Sequence, residues 1–486
     1  MSGSWVPQQA DLIRLLPEIV LVLTGTAFMI MAPLAGLYRR FYGHLSLAAL
    51  ALALLGAVNA GTFPGPAFSG LLMVDHFAAY FRVLVLVVGM VTVLSSYRFL
   101  SRELAETAEF HALLLFAIAG QCLMAAANDL IVIFIGLEIS SIASYVLSGY
   151  LRDDKRATEA ALKYFLLGSF ATAFFLYGVA IAYGATGVTN LSAIRGLVIG
   201  RGGADPLHLS IAAALLFVGL GFKVSSAPFQ VWAPDVYQGA PSPVTAFLST
   251  GAKAAAFAIF LRIFMTALAP IGGRWEPLVW MSALLSMTLG NFAALSQTNV
   301  KRMLAYSSIA HAGYVLVAMT ARSQDGVAAS MFYLAAYALM NAGAFAAVTH
   351  VAGKGEKYQE IDDFAGLAKA QPFTAAMLAV FLFSLVGVPL TAGFFGKFYI
   401  FKAALDAELI WLAVLGLLNS AVAAYYYLRL LVAMYMKEPS RTGPDMEPLP
   451  WGIRAALSIS ALGTLLLGIF PTPVLHFATK AAALLK

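Results

Sequence analysis

The chain has 486 residues, of which 61% are apolar and only 11% are charged. A soluble domain carries about 25% charged residues and cannot hide so much apolar surface, so the composition excludes a soluble globular protein. The formal charge of +6 comes from basic residues scattered singly between apolar runs, which argues against a nucleic-acid partner.

Apolar runs long enough to span a bilayer, about 20 residues each, recur along the whole chain. They lack the alternation of a β-barrel, so the predicted fold is an all-α polytopic membrane protein. No basic run precedes the first stretch and Glu18 lies near its start, so we interpret it as a retained helix and not a cleaved signal. The fourteen predicted spans are 12–32, 45–62, 74–97, 110–127, 129–150, 160–184, 210–235, 242–267, 277–297, 302–320, 327–351, 372–402, 409–436 and 452–478.

Lys and Arg are divided unequally between the two sets of loops, which predicts the orientation. Six alternate loops hold fifteen basic residues, Arg39 and Arg152 among them, whereas the other face and both termini hold eight. The first face is predicted to be cytoplasmic. We therefore expect a multi-pass protein of a bacterial plasma (inner) membrane with both termini on the periplasmic side.

Two spans are predicted to be broken, the seventh around Pro228 and the twelfth around Pro389, because proline removes a backbone donor and clashes with the preceding turn. The breaks are five spans apart, in helices of opposite direction, which is typical of inverted-repeat transporters. Proline kinks without transport are the alternative. The predicted domains are a three-helix segment 1–109, five-helix repeats 110–267 and 277–436, and a C-terminal helix 437–486.

Four ionisable residues lie deep within spans, where a charge costs about 2.5–3.5 kcal/mol. They are Glu138, Lys223 before the first break, Lys253, and Lys397 after the second break. A static buried ion pair is the alternative to transport, but one buried acid cannot pair with three lysines. Burial favours neutral lysine and a nearby carboxylate favours the charged form, so such lysines could carry protons, which arginine cannot.

Two further residues are weaker candidates. Lys163, near the cytoplasmic end of its span, either pairs with Glu138 or extends to the surface, as Glu159 can. His311 matches Glu138 in the proposed repeat and suits a proton relay, although a lone histidine is usually a packing residue. Structural roles at span ends are expected for Arg82, Arg262, Arg429, Asp75, His76, Asp129 and Asp235.

Several features of redox enzymes are missing from the sequence. There is no P-loop, and the glycines of 200–203 and 353–355 are predicted to lie in loops. The single cysteine, Cys122, excludes a multi-cysteine metal or iron–sulfur site. No polar stretch is long enough for a flavin or nicotinamide domain. We therefore expect no cofactor in this chain and a driving energy that comes from a partner.

Three motifs resemble one family, the antiporter-like subunits of NADH:quinone oxidoreductase (complex I). The form Tyr237-Gln238-Gly239-Ala240-Pro241 is similar to that of subunit N, whereas lysine at 397 is unlike subunit M. No lateral extension like that of subunit L follows the last span. The motifs are 223–245, Lys301-Arg302-Met303-Leu304-Ala305-Tyr306-Ser307-Ser308, and Gly387-Val388-Pro389-Leu390-Thr391-Ala392-Gly393-Phe394.

The resemblance implies fourteen helices with two inverted five-helix repeats. It also implies that Glu138 and Lys223 form a coupling pair, that Lys253 and His311 carry the proton across, and that Lys397 leads to the exit. The implied partners are other membrane-arm subunits, including a sister antiporter-like subunit and small helical subunits. NADH, flavin, iron–sulfur clusters and quinone are expected in partner subunits.

The predicted function is therefore proton translocation driven by quinone reduction elsewhere in a complex. An alternative is a subunit of a cation/proton antiporter or membrane-bound hydrogenase, which neighbouring genes would separate. A structural spacer is a second alternative, and it would keep pumping after Lys223→Ala. A passive channel fits least, because it gains little from titratable groups in mid-membrane.

Overall fold

The computed structural model describes residues 8–34, 41–200, 205–438, 447–483 and 485. Some residues of the orientation argument and of the first glycine-rich loop lie outside this described part, namely Arg39, Arg40, Arg201, Gly202, Gly203, Arg441 and Lys486. The orientation argument is therefore not tested at those positions.

The N-terminal part is helical apart from one short hairpin, in which β1 (Gly65–Ala67) pairs antiparallel with β2 (Leu72–Val74). The helices are α1 (Gln9–Arg14), α2 (Leu16–Met31), α3 (Tyr42–Thr62), α4 (His76–Arg102), α5 (Ala108–Ala126), α6 (Leu130–Ser148), α7 (Lys155–Thr186) and α8 (Leu191–Ile199).

The rest of the chain is helical as well. One π-helical stretch, Leu248–Ala252, joins α11 to α12, and a second, Ile263–Ala267, extends α12, so that 242–267 is one continuous helix. The helices are α9 (Pro206–Val224), α10 (Ala233–Gly239), α11 (Ser242–Phe247), α12 (Lys253–Arg262), α13 (Gly272–Leu295), α14 (Val300–Thr320), α15 (Gln324–Val351), α16 (Leu367–Ala370), α17 (Pro372–Val386), α18 (Ala392–Asp406), α19 (Ile410–Met436), α20 (Trp451–Ile469) and α21 (Thr472–Ala483).

Twelve helices in the described residues are long and apolar enough to cross a membrane, and α2 and α17 are shorter apolar helices. The prediction of an all-α multi-pass membrane protein is confirmed. The number fourteen stays a prediction.

Several predicted boundaries differ from the structure. The first span is divided at Leu15, because Pro17 lacks the N–H that a continuous helix would need. The last span ends at Ile469, and a separate helix, α21, follows. The short helix α8 and the hairpin were not predicted, since both are too short to give an apolar periodicity.

Polar residues define where several helices begin. Asp75, Asp129 and Asp154 accept hydrogen bonds from backbone N–H groups in the first turns of α4, α6 and α7. Asn299 and Ser323 do the same for α14 and α15. Each side chain supplies an acceptor that the start of a helix lacks. Capping is the structural role behind the boundary positions predicted for Asp75 and Asp129.

The centre of the bundle is formed by α14, α15 and the continuous helix 242–267, which are buried along nearly their whole length. Helices α3, α7, α13, α19 and α20 lie at the periphery and expose large apolar side chains. In a membrane these exposed faces contact hydrocarbon, so polar groups are kept away from lipid on the central helices and on the inward faces of the helices around them.

Backbone contacts at the start of α6 recur 170 residues later at the start of α14. In both places the helix start and the preceding residues bond to a segment that follows the next helix. The bonds are Leu130 N to Thr189 O, Leu191 N to Asn128 O, Val300 N to Gln359 O and Ile361 N to Thr298 O.

A close helix contact recurs with the same spacing. A Cβ on Gly120 would lie 2.7 Å from Ser140 N, and a Cβ on Gly290 would lie 2.7 Å from Ala310 N. Only glycine allows these backbones to approach so closely. In this register Glu138 corresponds to Ser308. The expected match of Glu138 with His311 is therefore wrong by one helical turn.

Candidate functional site

The helix that carries Lys223 is interrupted in the stretch that contains Pro228. Helix α9 ends at Val224, Ser225 adopts a left-handed conformation with φ of 59°, and the chain becomes helical again at Ala233. The carbonyl of Phe222 near the end of α9 accepts a hydrogen bond of 3.0 Å from Trp232 Nε1. The interruption therefore satisfies its own backbone and leaves the Lys223 side chain free to reach another helix.

Lys223 contacts α6, the helix of Glu138. Its Nζ donates to Ser141 Oγ at 2.6 Å and to Tyr145 Oη at 3.1 Å, and it lies 5.2 Å from the centre of the Tyr145 ring. Glu138 accepts a hydrogen bond of 3.0 Å from Thr172 Oγ1. Glu138, Ser141 and Tyr145 lie three and four residues apart, on one face of the helix. The structure thus brings Lys223 within a turn of Glu138 without an ion pair between them.

Lys163 does not pair with Glu138 in the structure. Its Nζ contacts Asp235 at 2.7 Å and Glu159 at 2.8 Å, and 41% of its side chain is exposed. Thr172, which does contact Glu138, lies nine residues further along α7, about 13 Å at a rise of about 1.5 Å per residue. That separation exceeds the reach of a lysine side chain, so the expected ion pair between Lys163 and Glu138 does not form.

Lys253 is buried between the two halves of the chain. It directly follows the π-helical stretch Leu248–Ala252, and its Nζ donates to Ser308 O at 3.0 Å and to Ser308 Oγ at 2.5 Å. Such π-helical turns are often found at functional sites because they shift a side chain out of the regular helical register. Ser308 is the residue that corresponds to Glu138 in the 170-residue register.

His311 lies one turn beyond Ser308 and is surrounded by tyrosines. Its Nδ1 lies 2.5 Å from Tyr333 Oη and its Nε2 lies 3.1 Å from Tyr427 Oη. Tyr427 Oη also contacts Ser307 Oγ. The histidine therefore has a hydroxyl on each ring nitrogen, an arrangement in which either nitrogen can take or give a proton.

The second interruption separates α17 from α18 in the stretch that contains Pro389. Gly387 has φ of 97° and Leu390 has φ of 70°, both left-handed. Lys397 of α18 turns back to the end of α17, where its Nζ donates to Leu385 O at 3.0 Å and to Val386 O at 2.9 Å. A cation here meets carbonyls that lack helical partners and the negative end of the helix dipole.

A polar path leads from Lys397 back towards His311. Lys397 Nζ lies 5.1 Å from the centre of the Tyr314 ring, and the Tyr314 ring centre lies 5.6 Å from that of His311. Tyr314 Oη accepts a hydrogen bond of 3.3 Å from Asn291 Nδ2. The structure therefore brings Lys253, His311 and Lys397 together around α14.

Other buried charges are paired. Arg82 contacts Glu18 at 2.6 Å, Arg262 contacts Asp75 at 2.9 Å, and Lys301 contacts Glu356 at 2.7 Å. The structural pairing expected for Arg82 and Arg262 agrees with these contacts. Sequence reasoning missed Lys301 and Glu356, because both lie in charged stretches between apolar runs and nothing in the local pattern predicts burial.

The sequence predicts Asp235 to be a span-boundary residue, and the structure shows that it also joins neighbouring helices. Its carboxylate contacts Lys163 at 2.7 Å and Arg302 at 2.7 Å, and so links α10 to α7 and to α14. Asp235 and Arg302 each lie within one of the family motifs, and this shared feature of the sequence could have indicated their contact.

In the residues that the structure describes, no group of three or more His, Cys, Asp or Glu could hold a metal ion.

Comparison with known proteins places this geometry in a family. The family model for the membrane part of NADH:quinone oxidoreductases and Mrp antiporters matches residues 127–423, which include the two breaks and all six candidate residues. NADH-quinone oxidoreductase subunit N 1 of Solibacter usitatus is 66% identical over 489 residues, and the match covers 100% of both chains. The chain belongs to the subunit N family of NADH:quinone oxidoreductase.

Solved structures agree with this assignment. A chain of respiratory complex I from Thermus thermophilus is 36% identical, with a TM-score of 0.82, and the match covers 95% of this chain and 99% of that one. A chain of the Mrp complex from Dietzia sp. has a TM-score of 0.86 at 22% identity, covers 97% of both chains, and shows a shared fold alone. As a subunit N, the protein is an antiporter-like, proton-translocating membrane subunit of NADH:quinone oxidoreductase.

Proposed function

We propose that subunit N moves protons along a row of half-buried and buried side chains, from Glu138 and Lys223 through Lys253 and His311 to Lys397. One observation carries this proposal. The Nζ atoms of the three lysines contact hydroxyl and carbonyl oxygens and aromatic rings, and within the described ranges none forms an ion pair with a carboxylate. Such a lysine can lose its proton without leaving a buried carboxylate unpaired.

The paired cations of the same protein provide the contrast. Arg82, Arg262 and Lys301 each contact a buried carboxylate, and two of the three are arginines, which stay charged. These residues have the features of static structural pairs. The relay lysines have none of these features, which favours transport over the spacer hypothesis.

Buried hydroxyls support a hydrated connection between Lys223 and Lys253. Ser225 Oγ, Tyr237 Oη and Tyr337 Oη form no hydrogen bond of regular geometry among the described residues, although Tyr237 Oη lies near the hydroxyls of Ser225 and Ser308 and Tyr337 Oη lies near that of Ser308. Buried polar groups are normally hydrogen-bonded to protein or to ordered water. Tyr337 lies beside His311, with ring centres 5.1 Å apart, and Ser225 follows Lys223 closely in the chain. Water bound at these hydroxyls would carry the proton across the gaps.

Lys163 has a place at the cytoplasmic end of this route. It lines a cavity of about 210 Å³ with Glu159, Asp235 and Arg302. The cavity is open and charged, so we assign Lys163 to the collection of protons from solvent and not to direct pairing with Glu138.

The chain is proposed to consist of a three-helix segment 1–109, inverted repeats 110–267 and 277–436, and a C-terminal helix 437–486. The contacts that recur 170 residues apart support the two repeats. The excess of Lys and Arg on one set of loops supports periplasmic termini in a bacterial plasma membrane.

The energy for transport is proposed to come from partner subunits that bind NADH, flavin, iron–sulfur clusters and quinone. This chain is proposed to hold no redox centre of its own. Its neighbours would be a sister antiporter-like subunit and small helical subunits of the same membrane arm, and the relatives from multi-subunit complexes support such an assembly.

The test is Lys253→Met in the complete complex, reconstituted into proteoliposomes. NADH oxidation and proton transport are measured together, and the number of protons moved per NADH is expected to fall severalfold while assembly is unchanged. Lys402→Met is the matched control, because Lys402 is exposed and paired with Asp406 on the outside of α18. A native proton yield from a fully assembled Lys253→Met complex would refute the relay.

A further inference from the structure

An apolar groove of about 850 Å³ lies between α3, α4, α15 and the two C-terminal helices. Tyr80, Val83 and Val87 of α4 form one wall, and Leu339 of α15 and Phe477 of α21 face them. From His76 to Val87 the wall runs eleven residues, about 16 Å at a rise of about 1.5 Å per residue. Half of a hydrocarbon core of about 30 Å has almost the same length. The groove is therefore long enough for one acyl chain of a single leaflet.

A second cavity of about 570 Å³, lined in part by charged side chains, adjoins one end of the groove, and the two share Pro64 and His76. Its charged lining residues are Asp75, Arg262 and Lys480. Both carboxylate oxygens of Asp75 accept hydrogen bonds from Arg262, at 2.9 Å and 3.0 Å, so these two charges cancel. Lys480 is exposed and forms no ion pair within the described part of the chain. Among the residues that the structure describes, the cavity thus keeps one positive charge without a counterpart, that of Lys480.

Aromatic rings mark the junction of groove and cavity. The Phe477 ring stacks on Tyr80 with centres 6.1 Å apart, and it lies 5.7 Å from the ring of His76. Tyrosine and similar side chains are enriched where a membrane protein crosses from hydrocarbon to headgroups. The apolar groove, the aromatic rings and the cation therefore lie in the same order as the acyl chain, the interfacial region and the phosphate of a phospholipid.

We propose that this groove binds one anionic phospholipid, with an acyl chain along α4 and the phosphate beside Lys480 and His76. An apolar helix of a partner protein would leave the cation of the cavity without a counterpart, whereas a lipid supplies both the apolar chain and the phosphate. The site is separate from the proton route, because none of the six candidate residues lines the groove or the cavity.

The test uses the complete complex in lipid nanodiscs that contain a phosphatidylglycerol with a photoreactive group on its acyl chain. Cross-linked peptides are mapped by mass spectrometry, and cross-links are expected on α4 and α21. Lys480→Ala should lower the yield about fivefold, the equivalent of about 1 kcal/mol for one lysine near a charged membrane surface. Val87→Trp, which fills the inner end of the groove, should nearly abolish it.

Two matched variants serve as controls. Lys402→Ala removes an exposed lysine elsewhere, and Leu462→Trp adds the same bulk on the exposed face of α20, outside the groove. Both should leave the yield unchanged. Equal yields in Lys480→Ala and the native complex, equal labelling by a phosphatidylcholine probe, or cross-links from another subunit into the groove would each overturn the proposal.

Discussion

The two helix breaks each bring a lysine to the end of a helix, but they use it differently. At the first break Lys223 belongs to the helix that ends, and its Nζ crosses to Ser141 and Tyr145 of α6. At the second break Lys397 belongs to the helix that begins, and its Nζ turns back to two carbonyls of the helix that ends.

The backbone explains this difference. At the first break the carbonyls of Gly221 and Phe222 are taken by Ser226 N and Trp232 Nε1. At the second break the carbonyls of Leu385 and Val386 bond to Lys397 itself. Lys397 therefore completes the backbone of its break as well as belonging to the proposed proton route, whereas Lys223 bonds only to side-chain hydroxyls of α6. A lysine beside a proline break thus either completes the backbone itself or is left to contact another helix, depending on which group accepts that structural role.

The largest effect is expected for Lys397→Met. The change removes the donor to Leu385 O, Val386 O and Ser420 Oγ, and bonds to a charged donor contribute about 1.5–3 kcal/mol each at most. We expect a loss of about 2–4 kcal/mol in stability together with the loss of proton transport. Thermal denaturation of the complex in nanodiscs measures the first. Lys402→Met, on the same helix, should change stability by less than about 1 kcal/mol. Equal stability of the two variants would contradict the structural role of Lys397.

Lys223→Met should affect proton transport much more than stability. Its hydroxyl partners can rotate to other acceptors, so the loss of stability should be about 1 kcal/mol. Proton transport should nevertheless fall severalfold, because the proposed proton carrier next to Glu138 is removed. Proteoliposome assays and thermal denaturation on one preparation measure both. If Lys223→Met destabilises the complex as much as Lys397→Met, the contrast between the breaks does not hold.

The left-handed residues of the two breaks offer a smaller test. Gly387→Ala should cost about 1–2 kcal/mol, because its φ of 97° is unfavourable for a side chain and the new Cβ would lie 3.3 Å from Lys397 Cδ. Ser225→Gly should be close to neutral, since relief of about 1 kcal/mol of strain is offset by the backbone freedom of glycine. Thermal denaturation again distinguishes them, and the reverse ranking would be evidence against the assigned conformations.

The smallest effect is expected for Ser141→Ala. Lys223 keeps the Tyr145 hydroxyl, so stability should change by about 1 kcal/mol or less. Proton transport should fall only modestly, and the conservative Ser141→Thr should restore it. A complete loss of transport in Ser141→Ala would show that Ser141 is itself an obligatory carrier.

The sequence alone determined that the protein lies in a membrane, that its fold is all-α, where its two helix breaks occur and which lysines lie within the spans. A long apolar run without β-barrel alternation can cross the hydrocarbon core only as a helix. A charged residue within such a run is easily recognised because its neighbours are apolar. Lys223, Lys253 and Lys397 could be selected for that reason. The motifs around Tyr237 and Pro389 were specific enough to indicate the family.

Only the tertiary structure decided which groups meet. Whether Lys163 contacts Glu138 or Asp235 depends on the distances between these residues on different helices. The helical periodicity of 3.6 residues gives no information about those distances. The burial of Lys301 against Glu356 has the same origin, since a loop folds back over the helix ends. The register that matches Ser308 with Glu138 emerged from recurring backbone contacts, because packing between helices is set by side chains far apart in the chain.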